Sequence, residues 1–197
     1  MGSPESDNVF SGSIPKLYEK YLVPLIFVDY AADLVNRLAL KPATSILEIA
    51  AGTGVVTRNL ASLLPETVSI IATDQENEFI DTVTTALGTL FPDDPPRFMA
   101  RIPHGYHDHP TIKQDLANGG FTASPQISTL AKRSRATSSQ IPAIAYCQGT
   151  PLRNEIEARD APRLGEATEL AAEAIAQRFG RGAVDGKIQA HVITIEN

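Results

Sequence analysis

The chain has 197 residues, 43% of them hydrophobic and 20% charged, with a net charge of −6. That length and balance suit one soluble globular domain with a sizeable core, and the negative net charge gives no electrostatic footprint for nucleic acid. Cys147 is the only cysteine, which excludes a disulfide framework and points to a reducing cytoplasm.

Residues 1–13 are polar, with no basic stretch leading into an apolar core, so no signal peptide is expected. The apolar run at 22–28 is too short to span a membrane. Pro15 and Pro24 are predicted to divide residues 14–27 into short helical pieces. A helix should follow, with Ala31, Leu34, Val35 and Leu38 on one face.

Residues 45–60 carry the densest signal in the chain. The apolar run Ile46, Leu47, Ile49 holds one acid, Glu48, breaks at Ala50-Ala51-Gly52-Thr53-Gly54, and resumes with helical spacing. This is the pattern of a buried strand, a tight turn and a helix N-terminus. A lone buried carboxylate is expensive, so Glu48 is expected at the carboxyl end of its strand, beside the loop. The two glycines let a ligand approach main-chain N–H groups. Pro65 should end the helix. Val68-Ser69-Ile70-Ile71-Ala72-Thr73-Asp74 then reads as a second strand ending in an acid, twenty residues after Gly54. In a doubly wound sheet that acid can take the two hydroxyls of a ribose.

Leu47-Glu48-Ile49-Ala50-Ala51-Gly52-Thr53-Gly54 resembles motif I of class I S-adenosylmethionine-dependent methyltransferases, in the branch of ubiquinone and menaquinone biosynthesis. Ala50 stands where the usual pattern has its first glycine. A nicotinamide dehydrogenase is the competing reading, since Gly52, Gly54 and Thr57 nearly match Gly-x-Gly-x-x-Gly. Glu48 favours the methyltransferase: an acid suits the methionine ammonium and not a pyrophosphate. The resemblance implies S-adenosylmethionine as cofactor, held by Glu48, Ala50, Ala51, Gly52, Thr53, Gly54, Asp74 and Gln75. It also implies an N-terminal helical lid (1–40), whose Tyr18 and Tyr21 line the substrate side.

After Gln75 the expected third, fourth and fifth strands do not follow. Residues 78–90 form a helix pattern with Phe79, Val83, Leu87 and Leu90 on one side, ended by Pro92-Asp93-Asp94-Pro95-Pro96. The segment from Glu76 resembles the one that follows the fifth strand in this branch. The chain therefore reads as a cofactor-binding half (41–75) joined to a C-terminal half (76–197) within a single domain. Residues 101–109 form a polar loop, in which His104 and Tyr106 are substrate-side candidates. Helices are predicted at 110–117, 142–149, 151–159 and 164–179, the last with Ala167, Leu170, Ala171, Ala174, Ile175 and Phe179 as its buried stripe. Strands are predicted at 126–131 and 187–195.

His104, His107 and His109 invite a metal reading, but no pair of further ligands at suitable spacing accompanies them, so no metal is assigned. Cys147 lies in an apolar helix and reads as core. Arg153-Asn154-Glu155 and Glu157-Arg159 read as a solvated helix face, and Lys132-Arg133-Ser134-Arg135 as a solvated strand end. No catalytic base stands out, and methyl transfer does not demand one, because the sulfonium is already activated.

The expected fold is thus α/β, a reduced Rossmann-like methyltransferase sheet with flanking helices. Removing strands 3, 4 and 5 from the order 3-2-1-4-5-7-6 leaves 2-1-7-6, with the last strand antiparallel. Unpaired edges in such a sheet invite a homodimer. The implied activity is methyl transfer to a small-molecule acceptor, in the cytoplasm and away from membranes. A degenerate relative that binds or associates without catalysis is the alternative, and a nicotinamide-dependent oxidoreductase the third reading.

Overall fold

Residues 14–39 wind into one unbroken helical rod despite their two prolines. The computed structural model of the chain describes residues 12–39, 45–48, 68–70, 72–101, 109–118, 122 and 124–194. The rod opens with α1 (Ile14–Leu17), widens into a π-helix over Tyr18–Phe27 and closes with α2 (Val28–Ala39). Pro15 sits in the first turn of α1, where its missing N–H has no helical partner to lose. Pro24 falls inside the π segment. There the bonds reach five residues back, as Val28 N–H does to Val23 O, and the wider turn absorbs a ring that would break an α-helix. The expected division into short pieces is therefore replaced by a change of pitch. Ala31, Leu34 and Val35 are buried as their spacing predicts.

The chain is mixed α/β, with two sheets among the described residues. In the first, β1 (Ser45–Glu48) pairs in parallel with β2 (Val68–Ile70). Parallel neighbours need a long crossover between them, and residues 49–67, which lie outside the described residues, supply it. In the second, β3 (Ala72–Asn77), β5 (Val184–Thr194) and β4 (Gln126–Ala136) form an antiparallel sheet in the order β3-β5-β4. Two expectations are corrected here. The second strand does not end at Asp74: it is split into β2 and β3, and β3 runs on to Asn77. Nor does β1 neighbour the closing strand among the described residues, because β3 takes that place in an antiparallel ladder. The antiparallel pairing of the two C-terminal strands is as expected, though both strands are longer than their alternation suggested.

No loop separates β3 from the helix that follows. Asn77 is fully buried and caps α3 (Glu78–Leu90), its side-chain oxygen accepting from Phe79 N and Ile80 N at 3.1 Å each. Its amide donates to the Tyr146 hydroxyl at 2.8 Å, which ties the cap to the core. After α3 come α4 (Phe98–Arg101), α5 (His109–Asn118), α6 (Gln140–Gly149), α7 (Leu152–Asp160), a 3-10 turn (Ala161–Arg163) and α8 (Leu164–Phe179).

The core is the space between these helices and one face of β5. Val184, Ile188 and Ala190 meet Phe79, Val83 and Leu87 of α3, Tyr146 of α6, Ile156 of α7 and Ile175 of α8 there. Gly186 belongs to the same face because the Phe79 ring occupies the space a side chain would need. A Cβ built there would lie 3.1 Å from Cε1 and Cζ of that ring. Of the predicted stripe on α8, Ala167, Ala171 and Ile175 are buried. Leu170, Ala174 and Phe179 are half-buried, and the inner face instead turns toward Thr168, Ala172 and Ala176. Gly180, at φ 106°, ends that helix, with its N–H bonded to Ala176 O. Among the described residues no helix is long and apolar enough to cross a membrane.

Candidate functional site

Glu48 is the last residue of β1 and stands opposite Ile70 in the parallel register. The acid therefore lies at a strand's carboxyl end, as the cost of burying it mid-strand requires. Ala50, Ala51, Gly52, Thr53 and Gly54 lie outside the described residues. Asp74 is placed differently from expectation. It is inside β3, opposite Ala190, and not at a strand tip. The ladder slips between Asp74 and Glu76, so Gln75 is the extra residue of a bulge. Such irregularities bend a strand locally and break the regular pairing of its backbone.

The two tyrosines of the π-helix are placed differently. Tyr18 stacks on Phe27, with ring centroids 5.5 Å apart, inside the helical rod. Tyr21 instead lines a cleft of about 650 Å³, with Pro24, Leu25, Ile141 and Val184 as apolar walls and Lys20, Arg135 and Asp185 among the polar residues. The Lys20 ammonium lies 4.7 Å from the Tyr21 ring centroid, a cation–π contact. This cleft borders the start of β5, whereas Asp74 stands opposite Ala190, six residues along the same strand. At the rise of a strand that separation is about 20 Å. The fold does not bring Tyr21 and Asp74 together. Tyr30 of α2 is buried, and its hydroxyl donates to Leu130 O at 3.4 Å; Leu130 lies on β4, separated from Asp74 of β3 by the central strand β5. The sequence offered only its i,i+4 spacing to Leu34 as a sign that it faces inward. His104 and Tyr106 lie outside the described residues.

Three charged or nucleophilic groups behave as structure. Glu155, read from the sequence as part of a solvated face, is only 5% exposed. One oxygen accepts Arg97 N at 2.7 Å and Phe98 N at 3.2 Å, and the other meets Arg101 at 2.6 Å. It holds the first turn of α4 against α7, and its burial corrects that expectation. Arg133 and Arg135 both reach Asp185 across the β4–β5 pair, at 2.7 and 3.0 Å, so part of the basic cluster is neutralised on the strand itself. Hydrogen bonds from Arg133 and then Arg135 hold the Asp185 carboxyl below its ordinary range. Cys147 is fully buried, and desolvation pushes its thiol up to about 12, which leaves negligible thiolate at neutral pH. Among the described residues, no group of three or more His, Cys, Asp or Glu side chains is placed to hold a metal ion.

No protein-family model matches the chain, and no curated protein matches it. The candidate site therefore rests on its own geometry and on the motif.

Proposed function

We propose that the chain binds S-adenosylmethionine and transfers its methyl group to a small-molecule acceptor. The observation that supports this most is the parallel pairing of β1 with β2, with Glu48 as the last residue of β1. A glycine loop that leaves the carboxyl end of a parallel strand is the arrangement in which open α/β sheets take a ligand. Glu48 fits the methionine ammonium in that arrangement, and the Ala50–Gly54 backbone would approach the methionine and ribose. Asp74 fits less simply, because it belongs to an antiparallel ladder. The bulge at Gln75 is the feature that would let this stretch face the ribose hydroxyls.

When bound, the cofactor supplies an activated methyl group, so the protein's part is to hold the acceptor in line and exclude water. Tyr18 and Tyr21 keep the substrate-side role that the resemblance gives them, with Tyr21 on the apolar cleft beside Ile141 and Val184. Association into a homodimer belongs to the same proposal. In the three-stranded sheet both edge strands carry charge that discourages strand addition, Lys132, Arg133 and Arg135 on β4 and Asp74 and Glu76 on β3.

The reading as a scaffold without catalysis is favoured by one observation, the engagement of Asp74 in the β5 ladder. Calorimetric titration with S-adenosylhomocysteine and with NADH separates the readings. The proposal expects S-adenosylhomocysteine to bind, and Glu48→Gln to weaken it about tenfold, the loss of one charge-assisted hydrogen bond. Binding of neither ligand supports the scaffold, and binding of NADH alone supports the oxidoreductase. Unchanged affinity in Asp74→Ala would remove Asp74 from the site while leaving the family resemblance standing.

A further inference from the structure

Period-two alternation puts His191 on the face of β5 opposite Ile188 and Ala190. It is 5% exposed and sits in the central strand, opposite Thr129 of β4 on one side and Thr73 of β3 on the other. His109, the exposed first residue of α5, meets it there: the two Nε2 atoms are 2.8 Å apart. The ring centroids are 4.3 Å apart and the planes cross at 63°, so the Nε2 nitrogens are closer to each other than the ring centres are. The Nδ1 of His191 lies 3.0 Å from the Thr129 hydroxyl.

We infer that His109 and His191 form a two-imidazole site for a divalent transition metal, with copper(II) or nickel(II) preferred over zinc. With metal–nitrogen bonds of about 2.0 Å, cis ligands at the right angle of a tetragonal site are about 2.8 Å apart, whereas tetrahedral ligands are about 3.3 Å apart. The observed spacing matches the first geometry without movement. Imidazole nitrogen is also a borderline donor for which the divalent series rises from nickel to copper and falls at zinc. Both rings must carry their proton on Nδ1 to free the two Nε2 lone pairs. Thr129 provides for this at His191 by accepting the Nδ1–H, the second contact that a metal-bound histidine ordinarily makes. The change from a shared hydrogen bond to metal ligation is then a shift of tautomer, with no net proton released from two neutral rings. Burial fixes His191, and the exposure of His109 opens the pair to solvent. The start of α5 carries a positive partial charge, which lowers the affinity for any cation and keeps the site weaker than a closed four-ligand one.

The test is titration of the full-length chain with copper(II), nickel(II) and zinc(II) salts, by calorimetry and, for copper, by electron paramagnetic resonance. The expected result is one equivalent of copper with a tetragonal spectrum and hyperfine coupling to two imidazole nitrogens, bound more tightly than zinc. His109→Gln, an exposed change that leaves the fold intact, should weaken copper at least about tenfold. Thr129→Val should weaken it by about tenfold and Thr129→Ser should restore it, as expected for a group that orients a ligand. The double variant His104→Gln with His107→Gln should bind as the parent does. Undiminished copper binding in His109→Gln, its loss in the double variant, or no copper binding to the parent chain would each overturn the assignment.

Discussion

At Glu155 a short stretch of charged residues hides a structural device. Burial of one carboxylate is tolerable because two backbone N–H groups and one guanidinium face it, and its removal would leave buried donors without an acceptor. Glu155→Ala should therefore destabilise the fold by about 2–4 kcal/mol, read as a lower urea midpoint with an unchanged slope. A loss within experimental error would show that water replaces the carboxylate. Asp185 contributes to the pH dependence of stability. Its folded pKa lies below the unfolded value, held down by Arg133 and Arg135. That contribution is fully present above the ordinary carboxylate range and fades as pH falls through the lowered value. Urea midpoints measured from about pH 6 down to about pH 2 should fall less steeply in Asp185→Asn than in the parent. The difference will be small, because the side chain is 46% exposed and solvent screens the pair. A parallel course for both proteins would deny the pair any role in stability.

Elements are held together by a few close approaches that sequence periodicity does not announce. Gly149, the last residue of α6, faces the junction between α1 and the π-helix. A Cβ there would lie 3.2 Å from Tyr18 N and 3.3 Å from the Leu17 carbonyl carbon. These are backbone atoms and cannot swing aside, so Gly149→Ala should push the rod away from α6. The expected cost is about 1–3 kcal/mol, accompanied by faster amide exchange at the Tyr18–Phe27 segment than elsewhere. Uniform exchange across the chain would place the strain somewhere other than this contact. Legibility at this scale was uneven for physical reasons. The helix at 78–90 was evident because its apolar face repeats and prolines end it, and the structure has it at Glu78–Leu90. The π-helix was not evident, because a proline in a helical pattern signals a break unless packing holds a wider turn in place. The basic run at 132–135, expected as a solvated strand end, occupies the last residues of β4 before its end at Ala136, with Arg133 and Arg135 exposed and paired to Asp185.

For the molecule as a whole, the arrangement of two small sheets decides what the motif can do. The proposed function rests on the parallel β1–β2 pair, while β3 diverts the continuation of the second strand into a different sheet. Among the described residues the outer edges of β3 and β4 have no partner strand, which bears on association. Light scattering that returns the single-chain mass, 21.2 kDa, at every concentration would remove the homodimer from the proposal, and twice that mass would retain it.

The sequence by itself determined the α/β class, the helices at 78–90 and 164–179, the core character of Cys147 and the position of Glu48 at the end of its strand. Each of these follows from local periodicity or from the cost of burying one group. Only the tertiary structure decided that Asp74 lies within an antiparallel strand and that Tyr21 lines a cleft at the start of β5. The burial of Glu155 against Arg101 and the meeting of His109 with His191 were decided there too. These depend on which strand edge and which helix face meet between residues 54 or more apart in sequence. No property of a single segment encodes that choice, because it is set by the packing of segments against one another.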